Sequence, residues 1–169
     1  MDDVLKEGVG EGRMAWQDAL RGALRKACAE GAREILCFDA DFAAWPWSDA
    51  EVQAALTAWA HAPRRLTLLA GQFDDLQRRQ PRFVTWRQRY DHCFSALSFG
   101  EYPDERSGFE SALLAVGPEG GLLSLRLLDT ARHRFATSFL KHDGVLLRDW
   151  FDVTAQRCVP AFAATTLGL

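Results

Sequence analysis

Lysine is scarce in this chain: 3 of its 20 basic residues are Lys, and the other 17 are Arg. No apolar run approaches the roughly 18 residues needed to span a bilayer, so no membrane partner is expected. The N-terminus, MDDVLKEGVGEGR, has early acids and neither a basic nor an apolar leader region, which does not fit a secretory signal. The four cysteines (Cys28, Cys37, Cys93, Cys158) form no CxxC pair. Zinc and thioredoxin-like sites therefore lack their sequence support, and reduced, buried thiols are expected. Together these absences imply a cytoplasmic protein. The histidines (His61, His92, His133, His142) form no HExxH. No GxSxG elbow and no GxxxxGK[ST] loop occurs, so serine-hydrolase and P-loop chemistry have no foothold and no cofactor is expected.

What is present is the composition of a soluble globular domain: 169 residues, 48% hydrophobic, 25% charged and 11% aromatic. A chain of this size hides roughly 70% of its unfolded surface and needs no covalent staples. The formal net charge of -3 speaks against nucleic acid as a partner of the whole surface, while leaving room for a local basic patch.

Residues 1–13, with Gly8, Gly10 and Gly12 among charges, read as a mobile tail, and 14–169 as a single α/β domain. Trp16, Ala19, Leu20, Ala23, Leu24, Ala27 and Cys28 fall on one stripe at the helical period, giving a first helix over 14–30 that Gly31 ends. EILCF (34–38) and LTLLA (66–70) are short apolar runs of buried-strand type. Between them, Ser48-Asp49-Ala50-Glu51 reads as a capping box with Ser48 as the cap. A crossover helix between two buried strands predicts parallel pairing. A helix over 73–79 is restarted at Pro81, and a third strand covers 95–99. After a polar loop at 100–108, three strands follow at 111–116, 122–128 and 133–140. A turn at Lys141-His142-Asp143-Gly144 precedes a closing helix at 147–158, with Trp150, Val153, Thr154 and Cys158 inward, and a docked tail from 160. The fold class is α/β, a mixed sheet with helices on both faces.

Two constellations carry candidate chemistry. Asp39 and Asp41 follow the first buried strand, at the end where open α/β sheets bind ligands, and two nearby carboxylates can share Mg²⁺. With the indoles of Trp45 and Trp47, exposed around Pro46, they form a candidate cleft whose metal content is left open. The alternative role for both acids is to hydrogen-bond the loop backbone. The second constellation is a candidate basic face on the helix over 78–89: Arg78, Arg79, Arg82, Arg87 and Arg89 interleave with aromatics, as in nucleic-acid binders. Phe83, Trp86 and Tyr90 nevertheless have the spacing of a core stripe, and a buried ring cannot stack on a base.

The run Ile35-Leu36-Cys37-Phe38-Asp39-Ala40-Asp41 resembles the opening motif of haloacid-dehalogenase-type phosphatases, which implies a Mg²⁺-dependent phosphoesterase with Asp39 as nucleophile. Phe42 and Ala43 depart from that motif, and no lysine lies between Lys26 and Lys141. The order of elements over 34–158, carried by 34–41, 65–70 and 111–140, is similar to one half of the phospholipase D superfamily. It looks most like catalytically silent domains of that kind in bacterial proteins of unknown function. Active members carry HxKxxxxD, whereas the residue two past each histidine here is Pro63, Phe94, Phe135 or Gly144. The resemblance thus implies a non-catalytic binding or scaffold module. Active members set two such halves face to face, so a homodimer is expected, seated on the Trp45–Trp47 loop or on the strands of 111–140.

Overall fold

The computed structural model describes residues 4–101 and 108–164. In chain order the elements are β1 (Gly8–Gly10), α1 (Arg13–Ala29), β2 (Glu34–Asp39), α2 (Ala50–Trp59), β3 (Arg65–Ala70), α3 (Asp74–Arg79), α4 (Pro81–Arg89), β4 (Phe94–Ser98), β5 (Ser111–Val116), β6 (Leu122–Asp129), β7 (Arg134–Ser138), α5 (Lys141–Ala155) and β8 (Val159–Pro160). Most of the loop expected at 100–108 and the last residues of the expected tail lie outside the described residues.

The strands form one mixed sheet in the order β1-β7-β6-β5-β2-β3-β4-β8. β2, β3 and β4 pair in parallel, with Ile35 beside Leu66 and Leu66 beside Phe94. The remaining pairs are antiparallel. Side chains alternate across the pleat, and that alternation separates two cores. Ile35, Cys37, Leu66, Leu68, Leu113 and Ala115 point into the larger core, which holds α1, α2, α3 and α4. Leu36, Phe38, Leu69, Ala112, Leu114 and Val116 point into the smaller one, under α5. Helices therefore cover both faces, which is why the inner strands read as continuous apolar runs. Among the described residues no helix is long and apolar enough to cross a membrane.

Helix α1 buries the seven residues its spacing predicts, Trp16 through Cys28. At α2 the cap is Asp49 rather than Ser48: its carboxylate accepts from the Glu51 and Val52 amides, and the Ser48 hydroxyl finds no partner among the described residues. A carboxylate is the better acceptor at the positive end of a helix dipole. Residues 8–10, read from sequence as part of a tail, form a strand on β7. Their glycines serve packing as well as freedom, because the Phe135 ring lies where a Gly10 Cβ would be. Cys28, Cys37 and Cys93 are buried and Cys158 is half-buried. Burial pushes the Cys28 thiol up to about 12, with nearby Arg64 pulling the other way.

The largest departure from the pattern reading is at α5, which begins at Lys141 and buries Gly144, Leu147, Phe151 and Thr154. Val153 is 53% exposed. The expected turn is instead the first helical turn. Ser138 donates to Asp143 (2.6 Å) and accepts from the Leu140 amide (3.1 Å), closing the helix start. Gly144 is present because α5 presses onto β6: an added Cβ would stand 2.6 Å from Cβ and Cδ1 of Leu122. In an unobstructed helix Gly→Ala gains about 1 kcal/mol. Here the contact reverses the sign, and Gly144→Ala is expected to lose about 1–3 kcal/mol, as overpacking does. Urea titration of the variant checks this, and a gain in stability would contradict the packing.

Candidate functional site

β2 ends at Asp39, and both carboxylates of the candidate cleft are committed to the loop that follows. Asp39 Oδ2 accepts from the amides of Asp41 (3.2 Å) and Phe42 (2.8 Å), and its Oδ1 accepts the Ser111 hydroxyl from neighbouring β5. Asp41 Oδ1 accepts from the Ala43 amide at 3.0 Å. Burial pushes the Asp39 carboxyl above the ordinary aspartate value, and the charge of Asp41 adds to this; the bonds from Ser111, Phe42 and Asp41 oppose it. A raised folded-state pKa means that ionised Asp39 costs stability at neutral pH. That cost fades as pH falls through the folded-state pKa toward the unfolded one.

The two acids wind the chain so tightly that Phe42 takes φ 58, a conformation bulky residues rarely adopt. Its ring is fully buried, 4.9 Å from Trp45 and 6.0 Å from Trp47. The expectation of exposed indoles is therefore corrected: Trp45 is 2% and Trp47 0% exposed. The two stack at 5.5 Å, with Trp47 on Phe83 at 4.7 Å and Trp45 edge-on to Trp16 at 6.4 Å. The loop is a plug between α1, α3 and α4, held also by Gln80 Nε2 donating to the carbonyls of Ala43 (3.0 Å) and Trp45 (2.7 Å). Its polar letters concealed this, because the apolar stripes of α1 and α4 need rings from elsewhere in the chain to close over them.

A cleft of about 310 Å³ opens beside the plug, where Asp39, Ala40 and the edge of Trp45 meet Arg13, Glu110, Ser111, Thr130 and His133. The last five were invisible as a set in the sequence, being supplied by the start of α1, the start of β5 and the β6–β7 turn. The signal that could have found Ser111 is antiparallel pairing of β5 with β2, which sets the start of β5 beside the end of β2. Among the described residues no three His, Cys, Asp or Glu side chains converge as a metal site. A hard cation takes six or more oxygens, and three of the four carboxylate oxygens of the two acids already hold amides or a hydroxyl.

The basic face divides. Arg78, Arg79, Arg82 and Arg89 are exposed, and Arg78 pairs with Asp75. Arg87 is 6% exposed, which corrects its place on that face. Its Nε donates to the Phe162 carbonyl (2.9 Å), Nη1 meets Asp91 (2.5 Å), and the guanidinium lies 4.6 Å from the Phe94 ring centre. It thus pins the segment after β8 onto α4. Phe83 and Trp86 are buried and stacked at 5.6 Å, so neither ring is offered to a base.

No protein-family model and no curated protein matches the sequence. Solved structures share the fold. TrmBL2, an archaeal chromatin protein described with a novel mode of DNA binding, superposes with TM-score 0.58 at 12% identity, over 92% of this chain and 54% of its own. This chain thus spans about half the length of TrmBL2. NucT from Helicobacter pylori superposes with TM-score 0.58 at 6% identity, over 92% of this chain and 99% of its own. At such identities the likeness is one of fold alone.

The division of the arginines is open to test. Arg87→Ala strands a carbonyl and uncovers two rings, and is expected to lose about 1.5–3 kcal/mol, the range for a buried hydrogen bond to a charged group. Arg89→Ala, at the surface, is expected to stay within about 0.5 kcal/mol of the parent. Denaturant midpoints of the two variants decide it, and equal midpoints would return Arg87 to the surface.

Proposed function

We propose that the chain is a catalytically silent phospholipase D-like domain that serves as a binding or scaffold module. The observation that carries this reading is what occupies the positions two past each histidine. An active half needs a lysine there to hold phosphate. Phe94 and Phe135 are instead core side chains, 3% and 7% exposed, and Gly144 is pressed against Leu122. Pro63 offers no donor at all. A lysine at the first three positions would have to be buried without a partner. The fold-level likeness to NucT, over nearly all of both chains, supports the one-half architecture. The rival reading, a Mg²⁺-dependent phosphoesterase on Asp39 and Asp41, would place a cation on acids that already hold three loop amides and the Ser111 hydroxyl.

Hydrolysis of bis-p-nitrophenyl phosphate, with and without Mg²⁺, is the direct test. Background rates are expected throughout. Turnover that follows the protein through purification and disappears in Asp39→Asn would establish the rival reading.

A second copy of the chain is part of the proposal, since active members of the superfamily act as paired halves. The Trp45–Trp47 loop is withdrawn as its seat because both rings are interior. β7 is likewise no outer edge, since β1 pairs along it. Light scattering across a wide concentration range is expected to give twice 18.9 kDa. The monomer mass at every concentration would remove the dimer and leave the silent-domain reading standing.

A further inference from the structure

At the end of the sheet opposite the Asp39 loop, where β2 and β3 begin, a cleft of about 430 Å³ is lined by Arg33, Glu34, Arg64 and Arg65, with Pro63 and Pro118 as walls. Parallel pairing creates the cluster. Glu34 stands beside Arg65 in register, and the Arg65 amide donates to the Arg33 carbonyl at 3.0 Å. Arg33 and Arg64, the residues just before each strand, are thereby brought to neighbouring positions. Like charges set opposite one another on adjacent chains are destabilising.

Nothing among the described residues neutralises the three arginines. Glu34, the acid lining the cleft, is bound at 2.6 Å by Arg148 of α5. Arg64 Nη1 donates to the Trp59 carbonyl (2.9 Å) and Arg65 Nη1 to the Phe94 carbonyl (3.4 Å). These bonds orient two guanidinium groups and leave their charge uncancelled. Gly31 completes the arrangement at φ +71: a Cβ there would sit 3.1 Å from Arg64 Nη2, so the guanidinium lies against bare backbone. Two oriented forks, with Arg33 lining the same opening, match a tetrahedral, multiply charged anion, for which arginine is the preferred residue.

We propose that this cleft binds the phosphate of a phosphate-bearing ligand through Arg33, Arg64 and Arg65. The assignment goes beyond the silent-domain reading and is independent of it, because the cleft and the Asp39 loop occupy opposite ends of β2.

Inorganic pyrophosphate, titrated into the intact protein and followed by calorimetry and amide NMR shifts, is the test, at about 0.1 M salt so that loose surface pairing is screened. Saturable binding is expected with a dissociation constant of about 1 mM or tighter, shifting the amides of Gly31, Arg33 and Arg65. Arg33→Ala and Arg65→Ala are each expected to weaken it by about tenfold, roughly the loss of one charge-assisted hydrogen bond. The paired change Arg79→Ala and Arg82→Ala, on the α3–α4 surface, should leave it unchanged. A competing arm with a duplex oligonucleotide distinguishes the source: displacement of pyrophosphate assigns the site to a nucleic-acid backbone, and coexistence assigns it to a small phosphorylated molecule. No saturation, or full affinity in the Arg33 and Arg65 variants, would overturn the proposal.

Discussion

The carboxylate of Asp39 is the tie on which the upper end of this fold depends. It terminates β2, and its two oxygens take the first two free amides of the following loop together with a hydroxyl from β5. Without those acceptors the amides would compete for water and the loop would open. With them, the chain turns sharply enough to drive Phe42, Trp45 and Trp47 inward, where they meet Trp16 of α1 and Phe83 of α4. One polar side chain thus sets the packing of three helices. Fully burying a large apolar side chain contributes roughly 1.5–3 kcal/mol, so the rings so placed outweigh the cost of holding one ionised carboxylate in a poorly hydrated place.

The arginine-rich composition resolves into distinct physical roles once the sheet is drawn. Arg87 is interior and joins α4 to the segment after β8 through a carbonyl and two rings. Arg148 links α5 to β2 through Glu34 and to its own helix through Asp152. Arg33, Arg64 and Arg65 gather at the opposite sheet end, where the one acid lining their cleft, Glu34, is held by Arg148. Lysine could not fill the first role, since its compact ammonium makes neither the planar contact with rings nor the fixed fork of donors.

Much of the framework was legible because it obeys simple periods. The α1 stripe, the strands beginning at Glu34, Arg65 and Ser111, and the crossover between the first two follow from spacing of 3.6 and 2 and from punctuation by Gly and Pro. What escaped the sequence was decided by contacts at long range. Gly144 looked like a turn residue, because a glycine chosen to let a helix approach a strand carries the same letter as one chosen for its φ. Arg87 looked like its exposed neighbours, because its partners Phe94 and Phe162 lie elsewhere in the chain. The tryptophans sat among polar letters, and only the apolar stripes that they cover explain them. The Asp39 cleft was half legible: its acids were marked by their place after a buried strand, whereas Arg13, Glu110 and His133 arrive from three other segments.

The measurement that bears most directly on this account is the unfolding free energy of Asp39→Ala beside that of Asp41→Ala. If Asp39 is a structural tie, its loss frees two amides and a hydroxyl and should cost about 2–4 kcal/mol, whereas Asp41, which holds one amide, should cost about 1 kcal/mol. Unchanged or improved stability in Asp39→Ala would contradict the account and mark that carboxylate as one held ready for a ligand.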